Sequence, residues 1–556
     1  MNPDAEITFY NGLVEAFHCL NHLSPEYRDL YKVASRDFGC QVTEQLLFDK
    51  YPKIVEILEK EIGKNKDAVL TAKQKFISFS YLQYINELCK CSKKITSEAT
   101  LESFRWNNQM RNNKIKRVAN PNEIVYLQCK VLIPFEDTEG NQVKGRIRRR
   151  MSLIFCETSD IKDRDGKWDN GIKHIEVRVN KIDYYRIGQP ISFLATFNQE
   201  KEHVFKEWRN KKGILTAFAL PNGYLSRALK YAIKGIVGNR GLIEKIFPKP
   251  QEFPDLKESD LAKLDPTLNK TLDERFDEKQ KEAILAIYQR INLTFILSGA
   301  SGTGKTSVLV AAVKLLYLKS NKKILICAPT NVIADVFAKQ LMSIINPSKI
   351  LRLISASRDI TKDDPELNEV TRKTATNNGH LDPKTYDWIT KEEFKQSNII
   401  ICTLRFIPTM AKKYELNKGY FSYIFIDEAG QSPEMDCWLP VHFLANEATQ
   451  LILAGNPKKT PPVIDIPCLE QYGYKHSLLA RLCSNPYFVP GINFVQLQKN
   501  YRSENAAAQL LPETSYESSV EQSHSQNPDQ RERVQSTRPT YAELLASPRR
   551  PMPRGA

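Results

Sequence analysis

One stretch constrains this chain more than any other: Gly299-Ala300-Ser301-Gly302-Thr303-Gly304-Lys305-Thr306. The apolar run Phe295-Ile296-Leu297 leads into it, and Ser307 to Val313 follow with the apolar spacing of a helix. Strand, glycine-rich loop and helix, in that order, fit the G-x-x-x-x-G-K-[ST] phosphate-binding pattern. Gly299, Gly302 and Gly304, with Thr303 between them, let the backbone curl so that its N–H groups face one phosphate chain. The helix start adds positive dipole character at the same spot. Lys305 brings a full charge to the terminal phosphates, and Thr306 brings a hydroxyl for magnesium. The bland alternative is a glycine-rich turn between a strand and a helix, and three later segments count against it.

The chain around this loop is long and basic. Its 556 residues suggest roughly three or four domains. A net charge of +15 suits a polyanionic partner without choosing between RNA, DNA and a membrane surface. The eleven cysteines are scattered, with no paired framework of the kind that disulfides make, which points to a reducing compartment. His18-Cys19…His22 and Cys89…Cys91 come nearest to metal spacing, but neither has a second ligand pair nearby. No secretory signal and no membrane-spanning apolar run is evident, so the expected place is the cytoplasm, with the nucleus as the alternative.

Along the chain, residues 1–118 have a helical texture, with apolar residues at helical spacing in Val14, Phe17 and Leu20, in Ile54 to Leu58, and from Leu70 to Leu88. Residues 119–222 read as strands of a small β-barrel, with expected strands at 124–133, 151–155, 175–179 and 190–195 and a hairpin turn at Glu139-Gly140-Asn141. Arg146, Arg148, Arg149 and Arg150 lie together just before Met151. They are candidates for a nucleic-acid backbone, since guanidinium groups suit phosphate, and equally for a solvated strand face. Residues 223–273 read as a returning helix and a Pro- and charge-rich connector.

Residues 274–499 alternate strand and helix, the signature of an α/β fold with a parallel sheet covered on both faces. Runs at 324–328, 399–403, 423–426 and 450–454 are the expected strands after the one before the loop. Their chemically suggestive groups all follow the carboxyl ends, where open parallel sheets bind ligands. Asp427-Glu428 is the most telling. Two adjacent acids at the end of an apolar strand are costly unless they have a job or a partner. Asp427 is positioned to hold magnesium, directly or through water, and Glu428 to polarise an attacking water.

With these residues in place, the chain resembles a superfamily 1 helicase. The motifs run in the order Gln280, GASGTGKT at 299–306, APTN at 328–331, ICT at 401–403, DEAG at 427–430, GNPKKTPPV at 455–463 and NYR at 500–502. Within the superfamily it is similar to the 5′-to-3′ branch that holds the nonsense-mediated decay helicase and the Armitage-type RNA-silencing helicases. The resemblance implies a RecA-like domain at 274–499, preceded by a β-barrel between stalk helices. It implies ATP and magnesium as cofactors and single-stranded RNA as the partner. It implies that Gln280 reads the adenine edge and Tyr501 stacks on the base. Lys305 and Thr306 bind phosphates and metal, and Arg502 reaches the terminal phosphate. Pro329, Thr330, Asn331 and Thr403 lie along the nucleic acid.

Two departures stand out. Where the family reads Gly-Asp-Pro-Lys-Gln, this chain has Asn456 and Lys459. The glutamine senses the terminal phosphate; lysine can contact phosphate as a point charge but lacks the paired donor and acceptor of an amide. The second is that 500–556 opens like a second RecA-like domain and continues from Ser503 to Ala556 as a Ser-, Gln-, Pro- and Arg-rich stretch expected to be disordered. Full activity is therefore expected to need a second RecA-like half, from another polypeptide or by self-association, with RNA-silencing or RNA-decay proteins as further partners and no membrane. Two alternatives stay open: a non-enzymatic, ATP-switched RNA-binding protein, and a DNA helicase of the same superfamily.

Overall fold

Parallel strands buried on both faces need near-continuous apolar sequence, and the 274–499 segment supplies it. In the computed structural model of the chain, eight strands form one sheet, most of them apolar and buried. The described residues are 10–501, apart from residue 12 and the segments 38–41, 63–67, 92–95, 105–125, 135–150, 164–171, 183–189, 210, 212–213, 221–222, 250–275, 290–292, 321, 356–364, 374–388 and 460–465. The Arg146, Arg148, Arg149 and Arg150 cluster, the Glu139–Asn141 turn, and Arg502 with the stretch after it lie outside them.

The chain begins with helices Pro25–Asp37, Glu44–Lys50, Pro52–Glu59 and Ala68–Cys91. Thr43 caps the second of these, its hydroxyl accepting from Leu46 N at 3.1 Å. A closed antiparallel barrel comes next, built from β1 (Thr96–Phe104), β2 (Tyr126–Ile133), β3 (Ser152–Glu157), β4 (His174–Ile182), β5 (Ile191–Asn198) and β6 (Leu215–Leu220). Around the barrel the order is β1-β2-β5-β4-β3-β6. Alternate residues fill the interior: Leu127, Cys129, Val131 and Ile133 from β2, and Phe193, Ala195 and Phe197 from β5. Helix Glu202–Trp208 adds Phe205, which stacks on Phe197, and the fully buried Trp208.

The structure corrects the expected helical texture at one place. Residues 96–104, within the segment read as helix, form β1, with Thr100 opposite Leu132 of β2 and Thr96 opposite Ala217 of β6. Ala99 and Leu101 lie in the barrel core amid a mostly polar sequence, too sparse a period-2 signal to read locally, so the pairing decides the element. β6 is apolar on both faces for a different reason. Leu215, Ala217 and Ala219 face the barrel core, while Phe218 and Leu220, with Ile154 and Cys156 of β3, pack into the core shared with the N-terminal helices.

Helix Tyr224–Val237 carries the chain back along helix Ala68–Cys91. Its buried residues Ala228, Leu229, Ala232, Ile233 and Ile236 make one apolar stripe, worth roughly 1.5–3 kcal/mol for each large side chain removed from water. Helix Arg240–Ile246 then meets the sheet domain through Lys245, which is 2% exposed and donates to the carbonyls of Glu447 at 3.0 Å and Thr449 at 2.6 Å.

The sheet strands are β7 (Thr294–Gly299), β8 (Ile324–Ala328), β9 (Ile350–Ile354), β10 (Thr371–Lys373), β11 (Ile399–Thr403), β12 (Tyr423–Ile426), β13 (Gln450–Gly455) and β14 (Phe494–Leu497). Their order is β10-β9-β11-β8-β12-β13-β7-β14, and every pairing is parallel. This is an α/β, RecA-like sheet preceded by a barrel and helices. β13 sits between the strand before the glycine-rich loop, β7, and the strand before the two acids, β12. At about 4.8 Å per neighbour the ends of β7 and β12 stand roughly 10 Å apart. No helix among the described residues is long and apolar enough to cross a membrane.

Candidate nucleotide site and nucleic-acid face

The Gly299–Thr306 loop leaves β7 and enters helix Lys305–Ser320. Its three glycines are needed for two different reasons. Gly302 and Gly304 have φ of 88° and 83°, a region that side chains rarely enter. Gly299 is needed for space, because a Cβ there would stand 2.6 Å from Thr303 Oγ1. Lys305 is buried and folds back over the loop, its ammonium donating to Gly299 O at 2.9 Å and Ala300 O at 2.7 Å.

Thr306 and Asp427 come together although 121 residues separate them: Thr306 Oγ1 donates to Asp427 Oδ2 at 3.2 Å. Asp427 is 1% exposed. Burial and the neighbouring Glu428 push its carboxyl up to about 6, against the pull of Glu428 N, Thr306 and Lys305. One hydroxyl and one carboxylate, both hard oxygen donors with few protein ligands around them, fit magnesium, which keeps several of its waters. Thr306 and Asp427 would hold the metal, which would supply positive charge to offset the charge of bound phosphates.

Glu428 has the left-handed backbone conformation, φ 50° and ψ 40°, at a cost of about 1–2 kcal/mol for a non-glycine residue. Strain of this kind collects where a side chain must be aimed. Here the carboxylate is held by Gln431 Nε2, which donates to Oε2 at 2.7 Å, and faced by Lys459 Nζ at 3.7 Å from the same oxygen. Asn456, the other departure from the family pattern, keeps the role of a turn acceptor: its Oδ1 accepts from Lys458 N at 2.9 Å and its carbonyl from Lys459 N at 3.2 Å. The substitution is therefore conservative for the turn, while Lys459 changes the charge beside Glu428.

Gln280 and Tyr501 converge on the loop from opposite ends of the domain. Gln280 N donates to Asp277 Oδ1 at 2.8 Å and Asp277 N to Gln280 Oε1 at 3.1 Å, a reciprocal cap on helix Glu278–Gln289. Gln280 Nε2 also donates to Thr303 O at 3.1 Å. Tyr501 N donates to Gly302 O at 2.9 Å, and its hydroxyl to Asp277. Its ring is 45% exposed, with Lys499 Nζ 5.2 Å from the centroid. Asp277 and Gln431 were not among the residues expected from sequence. Both could have been found there, each lying three residues from a residue that was.

A second group lies further along the same carboxyl edge. β11 pairs with β8 so that Thr403 is opposite Ala328, which brings Thr403 beside Pro329-Thr330-Asn331. Thr330 caps helix Asn331–Met342, accepting from Ile333 N at 3.4 Å, and is exposed. Arg352 of β9 is fully buried beneath this turn and bonds to Asn331. No local signal in the sequence around Arg352 marks it.

Residues 275–379 and 357–465 match the family model described as an AAA domain. The chain is 29% identical over 275 residues to the Danio rerio protein mov-10-B.1, named as a helicase, a match covering 47% of this chain and 26% of that protein. It is 30% identical over 242 residues to the RNA helicase Mov10l1 of Mus musculus, covering 41% of this chain and 19% of that one. The Gallus gallus helicase MOV-10 is 30% identical over 280 residues, covering 46% and 28%. The matches thus span between a fifth and under a third of these relatives' lengths. A solved Pyrococcus furiosus Hef helicase domain overlaps 40% of this chain and 38% of its own at 13% identity and a TM-score of 0.26, so the fold rests on the strand order above. Over residues 275–465 the chain matches the AAA domain model, and along with that match it resembles the superfamily 1 helicases of the MOV-10 kind.

Proposed function

We propose that this chain is an ATP-dependent RNA helicase, or the amino-terminal part of one, acting in RNA silencing or RNA surveillance. One observation carries the reading: the phosphate loop, Thr306, Asp427 and Glu428 meet at one edge of the sheet, continuous with the Pro329–Asn331 and Thr403 face. In this reading the loop N–H groups and Lys305 hold the phosphates, while Thr306 and Asp427 hold magnesium. Glu428 orients the water that attacks the terminal phosphate, releasing ADP and phosphate. Gln280 and Tyr501 hold the base. Pro329, Thr330, Asn331 and Thr403 track the nucleic-acid backbone. Glu428 and Tyr501 are partly exposed, and full activity in this reading needs a second RecA-like half. RNA rather than DNA is supported by the name of the Mov10l1 relative alone.

A second reading rests on Lys459. Its ammonium faces the carboxylate that should activate water, an arrangement that also suits a nucleotide switch with little turnover. ATP turnover with and without single-stranded RNA, run beside Glu428→Gln, separates the two. Expected is RNA-stimulated hydrolysis that falls at least about 100-fold in the variant. Magnesium-dependent ATP binding that is lost in Lys305→Ala, with no turnover by the chain alone, would mean half an engine, and turnover still absent after a second RecA-like half is added would sink the enzyme and leave the switch.

A further inference from the structure

We infer that Arg352 is a positioning residue for the nucleic-acid face: it locks the Asn331 amide so that only the N–H₂ end is offered outward, as a donor to backbone phosphate. The inference rests on the proposed reading that this edge binds nucleic acid.

Arg352 points from β9 to the first turns of helix Asn331–Met342 and is fully buried. Its Nη2 donates to Asn331 Oδ1 at 2.9 Å and to Asn331 O at 3.4 Å. Nε donates to Asp335 Oδ1 at 2.9 Å, and Nη1 to Leu353 O at 2.7 Å. Asn331 and Asp335 are four apart, so both lie on one face of the helix and one planar guanidinium can hold them together. Asp335 supplies the charge that makes burial of the guanidinium tolerable. Asn331 is the member that leads outward.

A guanidinium has donors and no acceptor. The Asn331 atom 2.9 Å from Nη2 is therefore the oxygen, an assignment made by chemistry. With Oδ1 and the main-chain carbonyl both committed to Arg352, the Nδ2 group has no protein partner among the described residues. Beside it the exposed Thr330 hydroxyl accepts from Ile333 N, which leaves its own O–H to donate. Both outward groups are donors, and they stand at the positive end of a helix. Such a turn, with two donors free and the Thr330 oxygen already accepting one bond, favours an oxygen bearing negative charge over a base or sugar donor. Without Arg352 the amide is free to turn over and present its oxygen, which a phosphate repels.

The test is fluorescence anisotropy of the full chain with labelled single-stranded RNA, the matching DNA, and an RNA carrying methylphosphonate linkages. The decisive variant is Asn331→Asp, because a carboxylate accepts from Arg352 at least as well and so preserves the fold, yet has nothing to donate. Expected is a loss of about 5–20-fold on RNA and on DNA alike, the size of one or two hydrogen bonds. The loss should shrink below about twofold on the methylphosphonate strand. Arg352→Lys keeps the charge for Asp335 but cannot span both partners; it should weaken binding as Asn331→Ala does, and the two together no further. Unchanged binding of a fluorescent ATP analogue confirms that the sheet is intact. Asn331→Asp binding like the parent, losses that persist on the methylphosphonate strand, or additive losses in the double variant would each overturn the role of Arg352. No binding of any strand by the parent chain would instead remove the reading on which that role rests.

Discussion

Gly430 is where the acidic turn meets the exit of β13, and replacing it tests the packing of the site directly. A Cβ at Gly430 would stand 2.2 Å from Asn456 O and 3.1 Å from Asn456 C. Both are backbone atoms, so no side-chain rotation relieves the contact. Gly430 is not among the residues of positive φ, so alanine is not penalised for its own conformation. The whole cost is steric. A carbon and a carbonyl oxygen in ordinary contact lie about 3.3 Å apart, so roughly 1 Å of backbone movement is forced. Overpacking of a buried site costs about 1–3 kcal/mol, and the absence of a flexible neighbour puts Gly430→Ala at the upper end, about 2–3 kcal/mol. At about 2–4 °C per kcal/mol for a domain of this size, the melting point should drop by roughly 4–12 °C. Function should suffer as well, because the displaced Asn456 carbonyl is the one that accepts from Lys459 N and so sets Lys459 beside Glu428. Differential scanning fluorimetry reads the first effect and ATP turnover the second. Gly238→Ala is the control: its Cβ would meet only Lys234 O, at an ordinary 3.4 Å, in a helical-region backbone with φ −81°. There alanine should be neutral or stabilise by up to about 1 kcal/mol. A Gly430→Ala melting point within about 1 °C of the parent would refute the reasoning.

The same structure carries other tests. Lys459→Gln should leave the melting point almost unchanged, since the pair with Glu428 is largely solvent-exposed on the lysine side. It should raise kcat severalfold with little effect on KM, and an unchanged kcat would mean that Lys459 does not restrain Glu428. Trp208→Ala should cost about 3–5 kcal/mol, since Trp208 is fully buried in the barrel and its indole N–H donates to Glu157 Oε1 at 2.6 Å. A loss under about 1 kcal/mol in urea unfolding would show that the barrel does not depend on this plug. Burial holds the imidazoles of His22 and His442 down to about 4. Both stay neutral in the fold while the unfolded chain takes up protons below about 6.5, so their contribution is present at neutral pH and is lost as pH falls toward 4. Asp427, raised to about 6, works in the opposite direction over the same range. The comparison that isolates the histidines is the pH dependence of the urea midpoint in His22→Gln/His442→Gln, which should be flatter than the parent between pH 6.5 and 4; the same slope in both would rule the histidines out.

The phosphate loop and the acidic pair were legible because each is a contiguous run whose chemistry depends on its own neighbours. Gly302 and Gly304 lie where a tight anion-facing turn needs positive φ, and Lys305 and Thr306 come next at the only spacing that puts them on the same helix start. The five strands expected before these groups were legible for a related reason: a strand covered on both faces has no polar positions to blur the pattern. β1 was not, because Thr96–Phe104 sets Ala99 and Leu101 among mostly polar residues, a pattern no more strand-like than helix-like until β2 and β6 pair with it.

What the sequence by itself determined is therefore the local chemistry: a phosphate loop, a pair of acids and a set of strand ends that can carry them. The tertiary structure alone decided which of these groups meet. It put β13 between β7 and β12 and brought Thr306 Oγ1 to Asp427 Oδ2. It brought Tyr501 back to Gly302 and Asp277, Lys459 to Glu428, Asn456 under Gly430, and Arg352 beneath Asn331. Most of these contacts join residues far apart in the chain. Their geometry comes from the order of strands in the sheet, and that order is fixed by the packing of the whole core, so no window of sequence contains it.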